Sequence, residues 1–268
     1  MDSIAEFRRR QGKLLVLTGA GISAESGVPT FRGQEGYWKV GSQDYHPMEM
    51  ATHQAFAAMP EEVWAWYLYR RAVCLNAAPN AGHRAIASME AHLQDRFLLV
   101  TQNVDGLHLR GGSSEERTFQ IHGNIHYMRC DDGSPELTPI PEYFGADWAK
   151  GRALSAVERD TLSCPACPGL ARPHVLWFDE SYDEPLFRFE SSLRAASESD
   201  LLLVIGTTGS TNLPLQIGEM FARRGCPIIV INPEPNPFTE FAASCAGGLF
   251  LEGTAGEHLP RLLGRLID

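Results

Sequence analysis

The chain has 268 residues, of which 44% are hydrophobic and 21% are charged, a composition that suits a globular protein and excludes a fibrous or disordered one. The formal net charge of -10 disfavours a nucleic-acid ligand, because phosphate binding needs clustered lysines and arginines, and it favours basic protein segments as partners. The sequence shows no secretion signal and no apolar run near the roughly 20 residues of a membrane span. We therefore expect a cytoplasmic protein with no membrane partner and reduced cysteines, for which a monomer is plausible.

Four apolar runs predict parallel strands buried on both faces: Leu14–Thr18, Phe97–Thr101, Leu201–Ile205 and residues 228–231. Helical patterns lie between them at residues 81–93, 185–197 and 215–224. This alternation predicts a doubly wound, Rossmann-like α/β fold with a parallel sheet. Ligands of such folds bind at the carboxyl ends of the strands.

Two stretches interrupt this alternation. Residues 37–80 contain aromatic-rich helices, and residues 124–171 contain Pro, Gly, Asp and Cys with little periodicity. We expect both to be insertions that pack together as a smaller lobe, with a helical module and a zinc-ribbon-like module. The large Rossmann-like domain would then consist of residues 1–36, 81–123 and 172–268.

A glycine-rich turn follows the first strand, with the sequence Gly19-Ala20-Gly21-Ile22-Ser23-Ala24. In this G-x-G-x-x-A pattern the missing side chains allow backbone N–H groups to approach a pyrophosphate. A tight turn without a ligand would give the same pattern. The continuation differs from a dehydrogenase, because Gly27 and Pro29 end the helix early and no second strand with a ribose-binding carboxylate follows. Residues 29–38 instead predict a loop that can fold over the glycines.

Several motifs occur together in one order. They are Gly19-Ala20-Gly21-Ile22-Ser23, Pro29-Thr30-Phe31-Arg32, Thr101-Gln102-Asn103-Val104-Asp105-Gly106-Leu107-His108, Ile121-His122-Gly123, Arg172-Pro173-His174-Val175, Gly206-Thr207-Thr208 and Asn232-Pro233-Glu234. In this combination the sequence resembles the sirtuin family over nearly the whole chain, residues 14–263. The resemblance implies an NAD-dependent protein-lysine deacylase that releases nicotinamide and O-acyl-ADP-ribose.

The same resemblance implies which residues bind NAD. They are Gly19, Ala20, Gly21, Ala24, Glu25, Thr30, Phe31, Arg32, Tyr37, Trp38, Gln102, Asn103, Val104, Asp105, Gly206, Thr207, Thr208, Asn232, Pro233 and Glu234. Ala255 matches a position that contacts the adenine end in similar proteins. Phe31 would shield the reacting carbon, and Arg32 would organise the loop. Residues 206–208 and 232–234 also follow predicted strands, where the fold argument independently puts a ligand.

His122 is the expected catalytic base. It follows the strand-like residues 118–121, so its ring should project into the cleft, and an unperturbed pKa of about 6.5 suits proton transfer at neutral pH. A histidine there could also simply cap a strand. In sirtuins the acyl oxygen attacks the ribose carbon that carries nicotinamide, and the matching histidine deprotonates a ribose hydroxyl. Asn103 and Asp105 would orient the ribose, the amide or a water, and either could also cap the turn.

The helix predicted over residues 63–73 indicates which acyl group the protein would remove. Tyr67 and Arg70 share one face of it, and an arginine beside a phenol is a good receptor for a carboxylate. Alternatively, Tyr67 is core packing and Arg70 pairs with a surface glutamate. The segment resembles the one that marks desuccinylase-type sirtuins. Thr30 stands where other sirtuins commonly carry Asp, which fits the same class. We therefore expect succinyl, malonyl or glutaryl lysine to be preferred over acetyl lysine.

By resemblance, an extended segment that begins at Val175 pairs with the substrate backbone as an added strand. Val175, Trp177 and Phe178 are the expected substrate contacts. Asp179 stands where relatives carry Gly, and a negative charge there would favour basic peptides or change the register. The loop at residues 209–214 also differs from the usual substrate-gripping sequence.

Cys164 and Cys167 form a C-x-x-C pair with the spacing of tetrahedral zinc ligands. In similar proteins the partner pair begins at Cys130, but here the position three residues later is Gly133. A structural zinc ion and a lobe held only by apolar contacts are both compatible with this pattern. Candidates for a fourth ligand are Asp131, Asp132 and a nearby histidine.

Two other functions would use the same motifs. An NAD glycohydrolase or ADP-ribosyltransferase would share His122, with water or a protein side chain in place of the acyl oxygen. A non-catalytic NAD sensor is disfavoured, because it has no use for a base at the ribose. Release of nicotinamide only when acylated substrate is present would identify a deacylase.

Overall fold

The computed structural model describes residues 3–29, 38–40, 43–132, 134–164, 167 and 169–267. The strands are β1 (Leu14–Thr18), β2 (Trp38–Val40), β3 (Gln43–Tyr45), β4 (Phe97–Thr101), β5 (Thr118–Gln120), β6 (Gly123–Arg129), β7 (Leu137–Pro139), β8 (Arg172–Val175), β9 (Leu201–Ile205), β10 (Ile228–Asn232) and β11 (Leu249–Glu252). The helices are α1 (Ser3–Arg9), α2 (Gly21–Ala24), α3 (Pro47–Met50), α4 (His53–Ala58), α5 (Pro60–Asn76), α6 (Ala81–Leu93), α7 (Leu107–Arg110), α8 (Ala156–Thr161), α9 (Glu184–Phe187), α10 (Phe189–Glu198), α11 (Asn212–Arg224), α12 (Pro237–Ser244) and α13 (Ala255–Ile267). Gln94–Arg96 forms a single 3-10 turn.

A parallel sheet of six strands forms the centre of the protein, in the order β11-β10-β9-β1-β4-β5. The predicted doubly wound, Rossmann-like fold is thus confirmed. From β1 the chain first crosses to β4 and β5, and it later returns to the other side of β1 to form β9, β10 and β11. The winding direction therefore reverses between β1 and β9, and in open α/β sheets this point is where ligands bind.

Both faces of the sheet are covered by helices. In β1 the side chains of Leu14 and Val16 join one apolar cluster, which includes residues of α6 and α13, and Leu15 and Leu17 join the opposite cluster with residues of α11 and α12. All five residues of β1 are buried. This two-sided burial explains why the strands have continuous apolar runs and not alternating ones.

A third apolar cluster lies outside the sheet and is built around α5 and the antiparallel sheet β7-β6-β8. The α5 helix is buried on most sides, and two of its polar side chains bond to backbone carbonyls of the lobe. Trp64 donates its indole N–H to the carbonyl of Ala171 at 2.7 Å. Arg71 donates to the carbonyls of Phe144 and Ile140. None of the described helices has the length and apolarity of a bilayer span.

The single helix predicted over residues 185–197 is wrong in one respect. The segment forms two helices, because Arg188 adopts a left-handed conformation with a φ of 55° and ends α9. Asp183 caps α9 by accepting a hydrogen bond from the Leu186 N–H at 2.7 Å. The sequence pattern gave no sign of the break, since arginine is ordinarily a good helix former.

The turns after β1 and β9 are packed backbone against backbone. Gly206 has a φ of +60°, and a Cβ placed on it would lie 2.4 Å from the backbone nitrogen of Ile22. We expect Gly206→Ala to lower the free energy of unfolding by about 3 kcal/mol, since it adds the cost of a left-handed alanine to that of a backbone clash.

Gly225 is the matched control. It also has a positive φ, of +66°, but a Cβ there would meet nothing within 4 Å, so Gly225→Ala should cost only about 1 kcal/mol. Urea unfolding of the two variants measures the difference. Equal losses would show that the backbone contact contributes nothing to stability.

Candidate active site

The predicted nucleotide residues meet at the carboxyl ends of the strands. Gly19 donates its N–H to the carbonyl of Ile205 at 2.9 Å, and Gly21 donates to that of Gly206 at 2.8 Å. These two N–H groups are therefore already used within the protein. The glycines are needed chiefly for close packing, since a Cβ on Gly21 would lie 2.7 Å from the Cα of Gly206. Of the remaining turn residues, Ala20 precedes and Ala24 ends the short helix α2.

Gln102 connects this glycine cradle to its neighbours. Its side-chain amide donates to the Thr18 carbonyl at 3.2 Å and to the Thr207 hydroxyl at 3.0 Å, so the ends of β1, β4 and β9 are tied together. Asn232, at the end of β10, donates to the Glu234 carbonyl at 2.6 Å. The loop residues Val104, Thr208 and Pro233 follow the same strand ends, and Ala255 begins α13.

A buried polar cluster lies behind the cradle. The Ser23 hydroxyl donates to the Asp105 carboxylate at 2.7 Å and accepts from the Asn103 amide at 3.2 Å. Asp105 also accepts from the Leu107 N–H at 2.8 Å. Burial raises the pKa of Asp105, and the hydrogen bonds from Ser23 and Leu107 oppose that rise. Asn103 and Asp105 are therefore held rigidly, as groups that orient a ligand must be.

His122 lies at the end of the segment that leads from β5 to β6 and is half-buried. Its Nε2 is 2.7 Å from the hydroxyl of Tyr182. Burial lowers the pKa of His122 to about 4, and a hydrogen bond with the Gln102 backbone partly opposes this. At neutral pH the ring is therefore uncharged and can accept a proton.

Tyr67 and Arg70 lie on α5 as predicted. The Tyr67 ring is buried in the core of the lobe, and its hydroxyl accepts a hydrogen bond from the Trp177 indole at 2.8 Å. Burial raises the pKa of Tyr67, and the positive charge of Arg70 partly opposes that rise. The guanidinium of Arg70 is half-buried and lies 5.2 Å from the centre of the Trp66 ring.

The predicted substrate segment is partly extended. Val175 ends β8, and Leu176 donates its N–H to the His122 carbonyl at 2.9 Å, so the segment runs beside the base. Trp177 is fully buried, with the Arg172 guanidinium 3.4 Å from the centre of its ring. Phe178 is 52% exposed.

Two acidic residues have structural partners that the sequence did not reveal. The Asp179 carboxylate accepts hydrogen bonds from the N–H groups of His53 and Gln54, at 2.8 and 3.1 Å, and thereby caps α4. Glu25, which the sequence placed near NAD, accepts from the Gly256 N–H at 2.8 Å at the start of α13. Both charges are thus bound to helix N-termini, where the helix dipole favours them.

Three cysteines meet as predicted. The sulfur atoms of Cys130, Cys164 and Cys167 all lie within 4.8 Å of one another, and those of Cys130 and Cys167 are 3.6 Å apart. Zinc–sulfur bonds of about 2.3 Å in a tetrahedron separate two sulfurs by roughly 3.8 Å, so the three thiols fit a zinc ion. The carboxylate of Asp132 lies within hydrogen-bonding reach of the Cys130 thiol. Asp131 is instead bound to His53, at 3.0 Å, and to Arg172.

Some predicted NAD contacts cannot be placed. Thr30, Phe31, Arg32 and Tyr37 lie outside the described residues, as does the side chain of Trp38. Sequence reasoning also missed residues that the structure brings into the site, namely Tyr182 and Thr211. The Thr211 hydroxyl donates to the Gln102 side chain at 2.9 Å. The unusual sequence at residues 209–214 could have pointed to Thr211, whereas nothing in the sequence pointed to Tyr182.

The fold is a doubly wound α/β sheet, and its strand ends carry a glycine cradle, a buried polar cluster and a histidine, His122, in a segment that follows β5. A family model described as the Sir2 family matches residues 19–212. The chain belongs to this family. The predicted sirtuin resemblance is thus confirmed.

Relatives match the whole chain. An NAD-dependent protein deacylase of Leptospira interrogans is 38% identical over 275 residues, covering 100% of this chain and 98% of the relative. One from Thermus thermophilus is 39% identical over 248 residues, covering 90% and 89%. Among solved structures, a Sir2 homologue in complex with NAD has a TM-score of 0.75 at 33% identity, covering 99% of this chain and 94% of that one. A mutant Sir2 homologue with 2′-O-acetyl-ADP-ribose has a TM-score of 0.78 at 34% identity, with 99% and 96% covered.

Histidines with lowered pKa values should make stability depend on pH. Burial lowers the pKa of three of them, His83, His122 and His174, to about 4, against about 6.5 in an unfolded chain, and it also lowers the pKa of His108 and His126. Between these values the unfolded chain binds more protons, so stability is complete above about pH 6.5 and is lost as the pH falls toward 4. We expect the melting temperature to fall steadily from pH 7 to pH 5 at constant ionic strength.

His174→Phe should make this slope shallower, since it removes one of the three groups and can keep the stacking on Phe187, whose ring centre is 5.7 Å away. The exposed His92 is the control, and His92→Gln should leave the slope unchanged. Differential scanning fluorimetry measures both. A melting temperature that is flat between pH 5 and pH 7 in the unsubstituted protein would contradict the expectation.

The thiol cluster should bind zinc in the purified protein. We expect Cys164→Ser to lower the zinc content measured by elemental analysis and to lower the melting temperature, because a structural zinc site contributes directly to folding. Cys226→Ser is the control, since Cys226 lies outside the cluster. Asp132→Ala should weaken zinc binding more than Asp131→Ala. Protein purified without zinc and indifferent to a chelator would show that apolar contacts alone hold the lobe.

Proposed function

We propose that this protein removes succinyl, malonyl or glutaryl groups from protein lysines in preference to acetyl groups. The chain is an NAD-dependent protein deacylase by its membership of the Sir2 family and its full-length similarity to proteins of that name. The observation that carries the proposal is the hydrogen bonding of the segment after β8, in which Leu176 donates to the His122 carbonyl and Trp177 donates to the Tyr67 hydroxyl. A base at His122 and an acyl receptor at Tyr67 and Arg70 would then be joined by one segment.

The donor set at the switch point suits a dinucleotide. The buried polar groups there are the neutral Asn103 and Ser23 and the acidic Asp105. Their hydrogen-bonding atoms match ribose hydroxyls and a carboxamide, and binding these parts of the ligand needs no cluster of arginines and lysines. Bound NAD would supply a ribose carbon that the acyl oxygen can attack as nicotinamide leaves. His122 would accept a proton from a ribose hydroxyl, and Asn103 and Asp105 would hold the sugar in place. The three thiols would hold zinc away from these groups, as a structural ion.

Arg70 supports the acidic acyl preference. Its charge acts on the buried phenol of Tyr67, and Tyr67 in turn contacts Trp177 of the substrate segment. A carboxylate that entered this region would find a fixed positive charge in a partly desolvated place, where such a hydrogen bond is strong. An acetyl group offers nothing for Arg70 to bind. The net charge of -10 also favours basic peptide segments as substrates.

The test compares kcat/KM on succinyl-lysine and acetyl-lysine peptides of one sequence, with nicotinamide and O-acyl-ADP-ribose as products. We expect succinyl to be preferred and Arg70→Met to lower the succinyl value about 50-fold, the equivalent of a charged hydrogen bond of roughly 2.3 kcal/mol. The acetyl value should change less than about threefold by the same reasoning. Arg223→Met is the matched control, because Arg223 is exposed on α11.

Three outcomes would contradict separate parts of the proposal. Equal efficiencies that Arg70→Met leaves unchanged would disprove the acidic acyl preference while leaving deacylation intact. Nicotinamide release that does not need an acylated peptide would instead indicate a glycohydrolase. Full deacylase activity in His122→Ala would remove the base from the mechanism.

A further inference from the structure

The turn that follows β8 is bonded to the smaller lobe by an acidic side chain. Asp179 lies in this turn, which the Glu180 N–H closes by donating to the Trp177 carbonyl at 3.1 Å. The Asp179 carboxylate accepts hydrogen bonds from the N–H groups of His53 and Gln54, the first two residues of α4, at 2.8 and 3.1 Å. These partners lie 126 and 125 residues away along the chain, so the bonds join two separate parts of the fold.

Backbone and ring contacts reinforce the same connection. The Phe178 N–H donates to the Ala51 carbonyl at 3.0 Å. The ring of Trp177 packs against α4, with its centre 5.3 Å from that of Phe56 and 6.0 Å from that of His53. Three consecutive residues of the turn therefore contact α4 or the residues just before it.

A second path of charged groups joins the same two elements. The His53 ring is 3.0 Å from the Asp131 carboxylate, and Asp131 also pairs with the buried guanidinium of Arg172 at 3.4 Å. Both terminal nitrogens of Arg172 donate to the carboxylate of Glu180, the residue directly after Asp179. The turn and the start of α4 are thus connected directly through Asp179 and indirectly through Arg172.

Asp179 is ionised at neutral pH, which strengthens its bonds. Burial raises its pKa, but the N–H groups of His53 and Gln54 lower it, and the net pKa lies below the ordinary value. Hydrogen bonds to an ionised carboxylate are roughly twice as strong as neutral ones. The helix also has a cap of its own, since the Thr52 hydroxyl accepts from the Ala55 N–H at 3.0 Å. The bonds of Asp179 are therefore not the only cap of α4, and they fix the position of the turn.

We propose that Asp179 is a positioning residue that holds the turn in the conformation that receives the acyl peptide. The inference rests on the proposed function in one respect, namely that the segment after β8 pairs with the peptide backbone. Leu176 of this segment donates to the carbonyl of His122, so the turn is close to the proposed base. Only the ordered fraction of a mobile segment can bind a peptide, and ordering it beforehand raises the apparent affinity. Asp179 therefore acts on the affinity for the peptide and not on the chemical step.

The test measures kcat and KM in Asp179→Ala, which removes the carboxylate. We expect the KM for the preferred acyl peptide to rise about tenfold, as for the loss of a charge-assisted hydrogen bond, with kcat and the KM for NAD changed less than about twofold. Asp179→Asn keeps an oxygen that can accept from the same N–H groups, and Asn caps helices about as well as Asp, so its peptide KM should rise less than about threefold.

Thr52→Ala is the matched control, because it removes a cap of the same helix without removing a bond to the turn. It should lower the melting temperature and leave the peptide KM unchanged. An equal rise of the peptide KM in Thr52→Ala and Asp179→Ala would overturn the proposal, since the integrity of α4 would then be what matters. A fall in kcat of Asp179→Ala without a rise in the peptide KM would also overturn it.

The Asn variant separates positioning from direct attraction of a basic peptide. If Asp179→Asn raises the peptide KM as much as Asp179→Ala does, the proposal is wrong. A rise that disappears at high salt would then assign the charge to the peptide, because salt screens exposed charges.

Two measurements keep this inference apart from the acyl preference. The rise in KM should be the same for succinyl and acetyl peptides of one sequence, because the turn acts on the peptide backbone. In the peptide-free protein, the Phe178 amide should exchange its hydrogen faster in Asp179→Ala than in the unsubstituted chain, and unchanged exchange would overturn the inference at its first step. If both results are as expected but succinyl is not preferred, the proposed acyl preference fails and the role of Asp179 stands.

Discussion

The contact between the turns after β1 and β9 is the constraint on which the site depends. Gly21 and Gly206 approach so closely that neither position has space for a Cβ, and the Gly21 N–H bonds directly to the Gly206 carbonyl. This contact holds the turns after β1 and β9 together at the point where the winding of the sheet reverses. The polar residues that follow each strand are consequently brought to one edge, within reach of a single ligand.

From this edge a chain of hydrogen bonds extends toward the second lobe. Gln102 bonds to Thr18 and Thr207 on the nucleotide side and to Thr211 on the other, and its backbone bonds to His122. The substrate segment adds a second connection, since Leu176 donates to the His122 carbonyl and Trp177 donates to Tyr67. His122 is therefore linked both to the glycine cradle and to the smaller lobe.

Asp179, which the family resemblance marked as unusual, has a structural use of its own. It caps α4, and its negative charge is already bound to two backbone N–H groups. The sequence argument expected this charge to favour basic peptides or to change the register of the substrate strand, and it gave no sign of the helix cap. Glu25, which the sequence argument placed near NAD, likewise caps α13. An acidic side chain is stabilised by the N–H groups of a helix N-terminus that lies nearby in space, and that helix can be far from it along the chain.

The sequence by itself determined the parallel sheet, because buried strands and strand-end turns leave local patterns, and the combined motifs of the family singled out His122 as the candidate base. The pair Cys164 and Cys167 was readable from its spacing, and Cys130 followed from the family resemblance. Only the tertiary structure decided that Arg188 breaks a helix, that Asp131 is paired with His53 and Arg172, and that Tyr182 bonds to His122 across 60 residues of chain. The hydrogen bonds and ion pairs among them join residues that are far apart along the chain, and tertiary packing sets their pairing, not any local preference of the residues involved.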